Sequence, residues 1–336
     1  MKVANDLRQA LHLMSNMRHL DLWNVRDIPS VLFNRRANGP PLQLTTLRLI
    51  AANLKDFQRE TLIQVLQSSP HLRHLVIPFR ESRIMHLDST DAHPFARVCQ
   101  SLNTLEGVNW IIREVLPGHS VKRLAWMTYS AINYDMNVSL QYSIVEIQAW
   151  DRPDAIASFL TPPLIEAYSQ LEELVVFPHL APVRLLAPHF KSLRSLVVNT
   201  GYPSISLPLD DGVVDAIASI PNLETLVILL DVHYGDSFVL QRPIAYSMAR
   251  VLFASSASLQ TIVLVCLDRI ETHPPLTYQK STLRLYPELE LDATPQTGSI
   301  RDFAFRTLSS ILSGWLTFRI TDNGQFSFCS TFDDSW

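Results

Sequence analysis

One short phrase recurs along this chain of 336 residues and constrains the fold more than any other feature. The phrase has the form apolar-x-x-apolar-x-apolar. Ten copies follow one another, and consecutive copies start 19 to 36 residues apart, at Met17, Leu44, Leu72, Leu102, Val121, Ile144, Leu171, Leu193, Leu223 and Leu259. One copy means little because leucine is common. Ten ordered copies favour a repeat architecture over an ordinary α/β domain with leucine-rich strands.

The positions within the phrase predict a strand with one buried side. Successive side chains of a strand point to opposite faces, so the fourth and sixth positions share a face. The first position turns inward just before the strand. One repeat cannot cover this apolar side alone, so neighbouring repeats are expected to stack and share a core.

Helical segments are predicted between several phrases. Residues 56–68, 211–219 and 243–255 each place apolar side chains along one side of a helix. Helices that alternate with strands at this period predict an α/β fold with one parallel sheet, lined on its outer side by helices.

The phrases, together with the Ser69-Pro70 and Ile220-Pro221 junctions before them, resemble the leucine-rich-repeat region of F-box proteins, especially a large and divergent fungal group. The resemblance covers about residues 10–265. It implies a solenoid with a curved parallel sheet, outer helices and loops, and irregular repeats. It also implies that the arc recruits substrates to an SCF-type ubiquitin ligase. No F-box is recognised in this chain, so a ligase adaptor is expected as a partner only if an F-box exists upstream.

Two domains are expected. Residues 1–265 form the arc of about ten repeats, and residues 266–336 form a C-terminal cap. The cap is predicted to hold a loop, an amphipathic helix over 300–312, and a hairpin whose strands cover 315–320 and 325–329. The Asn323-Gly324 pair between those strands is a typical hairpin turn.

A protein partner is expected on the concave face, where positions three, five and seven point. Position seven is mostly apolar, and position five is valine in the phrases that contain Val175, Val197, Val227 and Val263. A bare apolar surface of this size is unusual on a monomer. The predicted partner contacts are Trp23, Ile50, Met127, Trp150, Phe177 and Leu229. The alternative is internal cover by the C-terminal residues or by long loops.

Other chemistry is not predicted. The net charge of −4 has mixed signs, the 9 glycines are scattered, and no phosphate-binding glycine motif occurs, which argues against nucleic acid and nucleotide cofactors. His71 and His74 lack a third metal ligand, and no carboxylate pair converges. We therefore expect no catalytic residue, metal or cofactor, and no enzyme activity.

The chain is expected in the cytoplasm or nucleus. Its 3 cysteines are widely spaced and odd in number, which is typical of a reducing compartment. No apolar run has the length of a membrane helix, so no membrane partner is predicted. The functional alternative to a ligase component is a free-standing leucine-rich-repeat interaction protein with no ligase link.

Overall fold

The computed structural model describes residues 16–23, 42–50, 59–77, 99–127, 156–177, 180–199, 211–230, 242–266, 276–281, 317–320 and 326–329. The chain divides into two compact units, Met1–Leu171 and Glu172–Trp336. Each unit is an α/β assembly in which strands and helices alternate along the chain. The boundary expected at residue 265 stays a prediction.

The described ranges of the first unit contain five parallel strands that pair in chain order. The strands are β1 (His19–Trp23), β2 (Thr46–Ile50), β3 (His74–Ile77), β4 (Thr104–Val108) and β5 (Arg123–Met127). Its helices in the described ranges include α1 (Arg59–Ser68), α2 (Asn109–Val115) and α3 (Pro162–Ser169).

In the part of the second unit that the structure describes, four parallel strands pair in chain order, and a further strand runs the opposite way beside the last of them. The strands are β6 (Glu173–Phe177), β7 (Ser195–Asn199), β8 (Thr225–Leu230), β9 (Thr261–Cys266) and β10 (Leu276–Gln279). Helices among the residues described here include α4 (Ala181–Leu186), α5 (Asp211–Ala218) and α6 (Arg242–Ser255), with a 3₁₀ turn at Ala187–His189. A separate hairpin pairs β11 (Thr317–Ile320) with β12 (Phe326–Cys329).

The parallel strands begin where the repeated phrase predicts. Each of β1 to β9 starts at the third position of its phrase, and nine of the ten phrases are accounted for in this way. The phrase that starts at Ile144 lies outside the described residues. This alternation of strands and helices confirms the predicted α/β fold of the leucine-rich-repeat type.

Equivalent phrase positions lie beside one another and form continuous apolar columns. The fourth positions of the first unit pair in register from strand to strand and are all buried: Leu20, Leu47, Leu75, Leu105 and Leu124. The second unit repeats the column with Leu174, Leu196, Leu226 and Ile262. First positions such as Leu72 and Leu223 are also fully buried. The predicted inward positions are therefore confirmed, and burial of these side chains drives the stacking.

A backbone ladder fixes the register between phrases. The carbonyl at the second position of one phrase accepts hydrogen bonds from the amides at the second and third positions of the next. The Arg18 carbonyl, for example, accepts from Thr45 (2.8 Å) and Thr46 (3.0 Å). The Glu172, Arg194 and Glu224 carbonyls do the same in the second unit. This ladder satisfies backbone groups at the strand starts.

The predicted helices are largely confirmed. Helix α1 starts three residues after the predicted residue 56 and ends at the predicted Ser68, and α5 and α6 match the predicted segments to within one residue at each end. Helices α2, α3 and α4 were not predicted. The C-terminal helix expected over 300–312 lies outside the described residues, whereas the two hairpin strands lie within their predicted ranges.

Strand β10 lies in the region expected as the C-terminal cap. Residues 271–299 were expected to form a loop there, with a short leucine-bearing piece at Leu283 and Leu285. Instead Leu276–Gln279 pairs antiparallel with β9, and Gln279 lies opposite Thr261. Beyond β10 the buried Lys280 ammonium donates to the carbonyls of Ser256 (2.6 Å) and Ala257 (3.0 Å), just after the end of α6. A cation at this end of a helix is favourable because the last carbonyls carry partial negative charge.

Of the helices in the ranges the structure describes, none has the length and apolar run that crossing a bilayer requires.

Candidate functional site

The candidate site is the side of the sheet that carries phrase positions three, five and seven, here called the odd-position face. In the first unit, position three comprises His19, Thr46, His74, Thr104 and Arg123, and position five comprises Asp21, Arg48, Val76, Glu106 and Ala125. Strand geometry places these side chains opposite the leucine columns.

Exposure on the odd-position face is concentrated at the strand starts. All position-three side chains of the first unit are exposed or half-buried. At position five Asp21 is exposed and Arg48 half-buried, but Val76, Glu106 and Ala125 are at most 5 % exposed. A partner that approaches this face therefore meets polar strand starts first.

Position five is buried in the second unit as well. Its residues Val175, Val197, Val227 and Val263 are 0 to 6 % exposed. This burial agrees with the internal-cover alternative for position five of this unit.

The predicted partner contacts are placed only in part. The backbone brings Trp23 and Ile50 side by side as register partners at the ends of β1 and β2, and Met127 lies beside Val108. The side chains of Trp23, Ile50, Met127 and Phe177, and all of Trp150, lie outside what the structure describes. Leu229 is 3 % exposed, so its side chain is not offered to a partner in this structure.

One ion pair and one side-chain hydrogen bond cross between neighbouring strands of the first unit. Asp21 and Arg48 are register partners, and their charged groups lie 3.5 Å apart. One strand pair further along, His74 Nε2 lies 2.7 Å from Glu106 Oε1. The Glu106 side chain is only 4 % exposed, and its second oxygen, Oε2, has no hydrogen-bond partner among the described residues. The sequence pattern did not reveal that a carboxylate is buried here.

The pair of Glu106 and His74 leads to a stability prediction. Replacing His74 with alanine is expected to lower the free energy of unfolding by about 2 kcal/mol, because the buried carboxylate loses its hydrogen-bond partner. Adding Glu106→Leu should recover most of this loss, since an apolar side chain needs no partner there. Urea unfolding of both variants measures the effect.

His71→Ala is the matched control, because His71 is exposed three residues earlier in the chain. Its effect should stay within about 0.5 kcal/mol. A His74→Ala variant as stable as this control would contradict the stabilising role of the pair.

The structure also shows the surroundings of His71 and His74, which were considered as metal ligands, and of Cys99. His71 is exposed, whereas His74 contacts Glu106, so the two histidines have different surroundings. Among the described residues no group of three or more His, Cys, Asp or Glu could hold a metal ion. Burial raises the pKa of Cys99 to about 11, and its thiol donates to the Ser69 carbonyl over 2.9 Å. A protonated thiol is a poor nucleophile, so Cys99 has a packing role at neutral pH.

Behind the sheet, an aromatic cluster holds β5 against the rest of the first unit. The Trp126 ring stacks on Tyr168 with centroids 6.1 Å apart and lies 5.3 Å from Phe159. The indole N–H donates to Asn109 Oδ1 over 2.8 Å. Burial raises the pKa of Tyr168 far above its ordinary value, and Arg113 nearby lowers it by less. The three rings of this cluster are buried.

Comparison with protein-family models gives no match for this chain, and comparison with curated proteins gives no significant match.

Proposed function

We propose that this chain is a non-catalytic protein-binding scaffold that presents its strand starts to a partner. The observation that carries the proposal is the in-register row of exposed and half-buried polar side chains at position three of β1 to β5. The backbone ladder and the buried leucine columns hold this row rigidly, so little conformational entropy is lost when a partner binds. Repeat proteins of this architecture commonly bind partners through such extended surfaces.

The finer proposal is that the bound protein is the substrate of an SCF-type ubiquitin ligase. It rests on the resemblance of the repeated phrase and its junctions to the repeat region of F-box proteins. A free-standing scaffold without a ligase link is the alternative, and the two differ in whether a ligase adaptor accompanies the bound partner.

Site-specific photocrosslinking tests the scaffold proposal without changing any charge. A photoreactive phenylalanine analogue replaces Thr46 or Thr104, both half-buried at position three. The control position is Gln67, which is exposed on α1 in the same unit. After irradiation in cells, we expect the same discrete protein adducts from both threonine positions and none from Gln67.

Mass spectrometry of the adducts distinguishes a ligase component from a free-standing scaffold. A ligase adaptor that co-purifies with the adducts supports the ligase component, and adducts without an adaptor support the free-standing scaffold. Equal labelling from Gln67 and the threonine positions, or no adduct from either threonine, would reject the strand starts as the partner-binding surface.

A further inference from the structure

Strand β1 has a neighbour on one side only, as far as the described ranges of the chain show. The sheet begins with β1, which pairs with β2, whereas β2, β3 and β4 each pair on both sides. In the second unit the last parallel strand, β9, is covered by β10. The side of β1 that faces away from β2, here called the β1 edge, is therefore open among the described residues.

The backbone ladder shows which groups of β1 face this edge. The Thr46 amide donates to the Arg18 carbonyl, so position three directs its backbone groups to the preceding strand and position two to the following one. These directions alternate along a strand. The N–H and C=O groups of His19, Asp21 and Trp23 therefore point to the β1 edge, where no described strand pairs with them. Unpaired edge groups of this kind are a template for another strand.

The leucine columns are also less well covered at this edge. Leu20 and Leu22 are each 8 % exposed, whereas Leu47 and Leu49, at the same positions of β2, are 0 % and 2 % exposed. This difference is expected for side chains that lack a neighbour on one side. A strand that adds at the β1 edge with an apolar side chain on the same face would complete their burial.

We propose that the β1 edge pairs antiparallel with the β1 edge of a second copy of this chain. A two-fold axis perpendicular to the sheet relates the two strands, so the leucines of both copies stay on one face and the same surface is used twice. The proposal goes beyond the scaffold function and does not depend on it, because a scaffold can bind its partner as a monomer or as a dimer.

Charge complementarity selects the register of the two strands. With the axis at Leu20, this leucine lies opposite its own copy, and His19 lies opposite Asp21 of the other copy twice in the dimer. Both side chains are exposed, and neither is covered by a described residue. Asp21 Oδ2 lies 3.5 Å from Arg48 Nη1, so its other oxygen can accept from the imidazole.

Other registers lack this match. With the axis at Asp21, the two Asp21 carboxylates would lie opposite each other, and like charges at such positions are destabilising. With the axis at Leu22, Asp21 would lie opposite Trp23 and have no basic side chain across the interface. A pair of five-residue strands is small beside the roughly 1,200 Å² of a stable interface, so a reversible dimer is expected.

Sedimentation velocity of the full chain from about 1 to 200 μM tests self-association, and we expect a monomer that shifts to a dimer as concentration rises. His19→Glu should weaken the dimer about five- to tenfold, because it places an acid opposite Asp21 at both symmetric contacts. His19→Lys is the matched control and should associate at least as well as wild type. His19 is exposed, so thermal melting should show both variants folded.

Disulfide trapping tests the register. In Leu20→Cys the two introduced thiols lie opposite each other, with Cβ atoms about 5 Å apart, and mild oxidation should give a covalent dimer on a non-reducing gel. Leu22→Cys is the matched control, since Leu22 is equally exposed but its two copies are offset by four residues, about 14 Å. Wild type controls for the natural cysteines, and neither it nor Leu22→Cys should be trapped.

Four results would overturn the proposal: a monomer at every concentration, equal self-association of His19→Glu and His19→Lys, equal trapping of Leu20→Cys and Leu22→Cys, or trapping of Leu22→Cys alone. Any of them leaves the scaffold function to be judged by the photocrosslinking from Thr46 and Thr104. Failure of that crosslinking leaves the pairing of the β1 edge untouched.

Discussion

Replacing Trp126 with alanine is expected to lower the free energy of unfolding by about 3–5 kcal/mol, the usual loss for a buried tryptophan. The indole is fully buried at 0 % exposure and is packed against Tyr168 and Phe159. Its removal leaves a cavity between β5 and α3 that these rings cannot fill by small movements. The hydrogen bond to Asn109 is lost as well.

Denaturant unfolding of wild type and variant measures this loss. Trp126→Phe is the matched control, because it keeps an aromatic ring in the site and loses mainly ring volume and the indole N–H, at an expected cost of about 1–2 kcal/mol. A Trp126→Ala variant that costs no more than Trp126→Phe would show that the cluster collapses around the gap, contrary to the packing described.

Replacing Gly107 with leucine is expected to destabilise the protein by about 3 kcal/mol, although it restores the repeated phrase. Gly107 is the sixth position of the fourth phrase, and its register partners at the same position of the neighbouring strands are the apolar residues Ile77 and Trp126. A Cβ at Gly107 would lie 2.7 Å from Ile111 Cγ2 and 2.9 Å from Ile111 Cβ. Helix α2 begins two residues after Gly107, and Ile111 on its first turn fills the space that the missing side chain leaves.

Gly107→Ala should cost less than the leucine, about 1–3 kcal/mol. Ile111→Ala in the same chain removes one of the two crowding atoms, so the double variant should be more stable than the sum of the single effects predicts. Denaturant midpoints of the four proteins of this cycle supply the measurement. Additive effects would mean that crowding against Ile111 is not the cause of the destabilisation at Gly107.

The sequence was informative where one physical constraint acts on every repeat. An apolar side chain at positions one, four and six of each phrase has to be buried, so the starts of β1 to β9 could be predicted from the sequence. Helices α1, α5 and α6 could be predicted as well, because each has an apolar side and a proline or serine marks its end.

The remaining elements depend on contacts that periodicity does not encode. Strand β10 is only four residues long, Leu-Thr-Tyr-Gln, and its direction is set by pairing with β9. Helix α2 follows β4 without a loop, and this is possible because Gly107 leaves room for Ile111. Such a close approach is visible in the sequence only as a glycine where the phrase calls for an apolar residue.

The partner-binding site stays a prediction, and the structure bears only on the exposure of its side chains. Alternation along the strands identified positions three, five and seven as one face, yet it could not show which of them solvent reaches. For the valine row and Leu229 the sequence left both a partner surface and internal cover open, and these side chains are buried. The polar strand starts drew less attention because polar residues at a surface are ordinary.

The reversed direction of β10 limits where whole repeats can be added to this chain. Duplication of a phrase with its following helix upstream of β9 adds one more repeat. The amides of that repeat can donate to the position-two carbonyl of the preceding repeat, as the Thr261 amide donates to the Glu224 carbonyl. After β9 the Gln260 carbonyl already accepts the Lys280 amide from a chain that runs the other way. A coil added there would have to displace β10 and its buried lysine, so insertions and losses of whole repeats among relatives are expected on the amino-terminal side of this point.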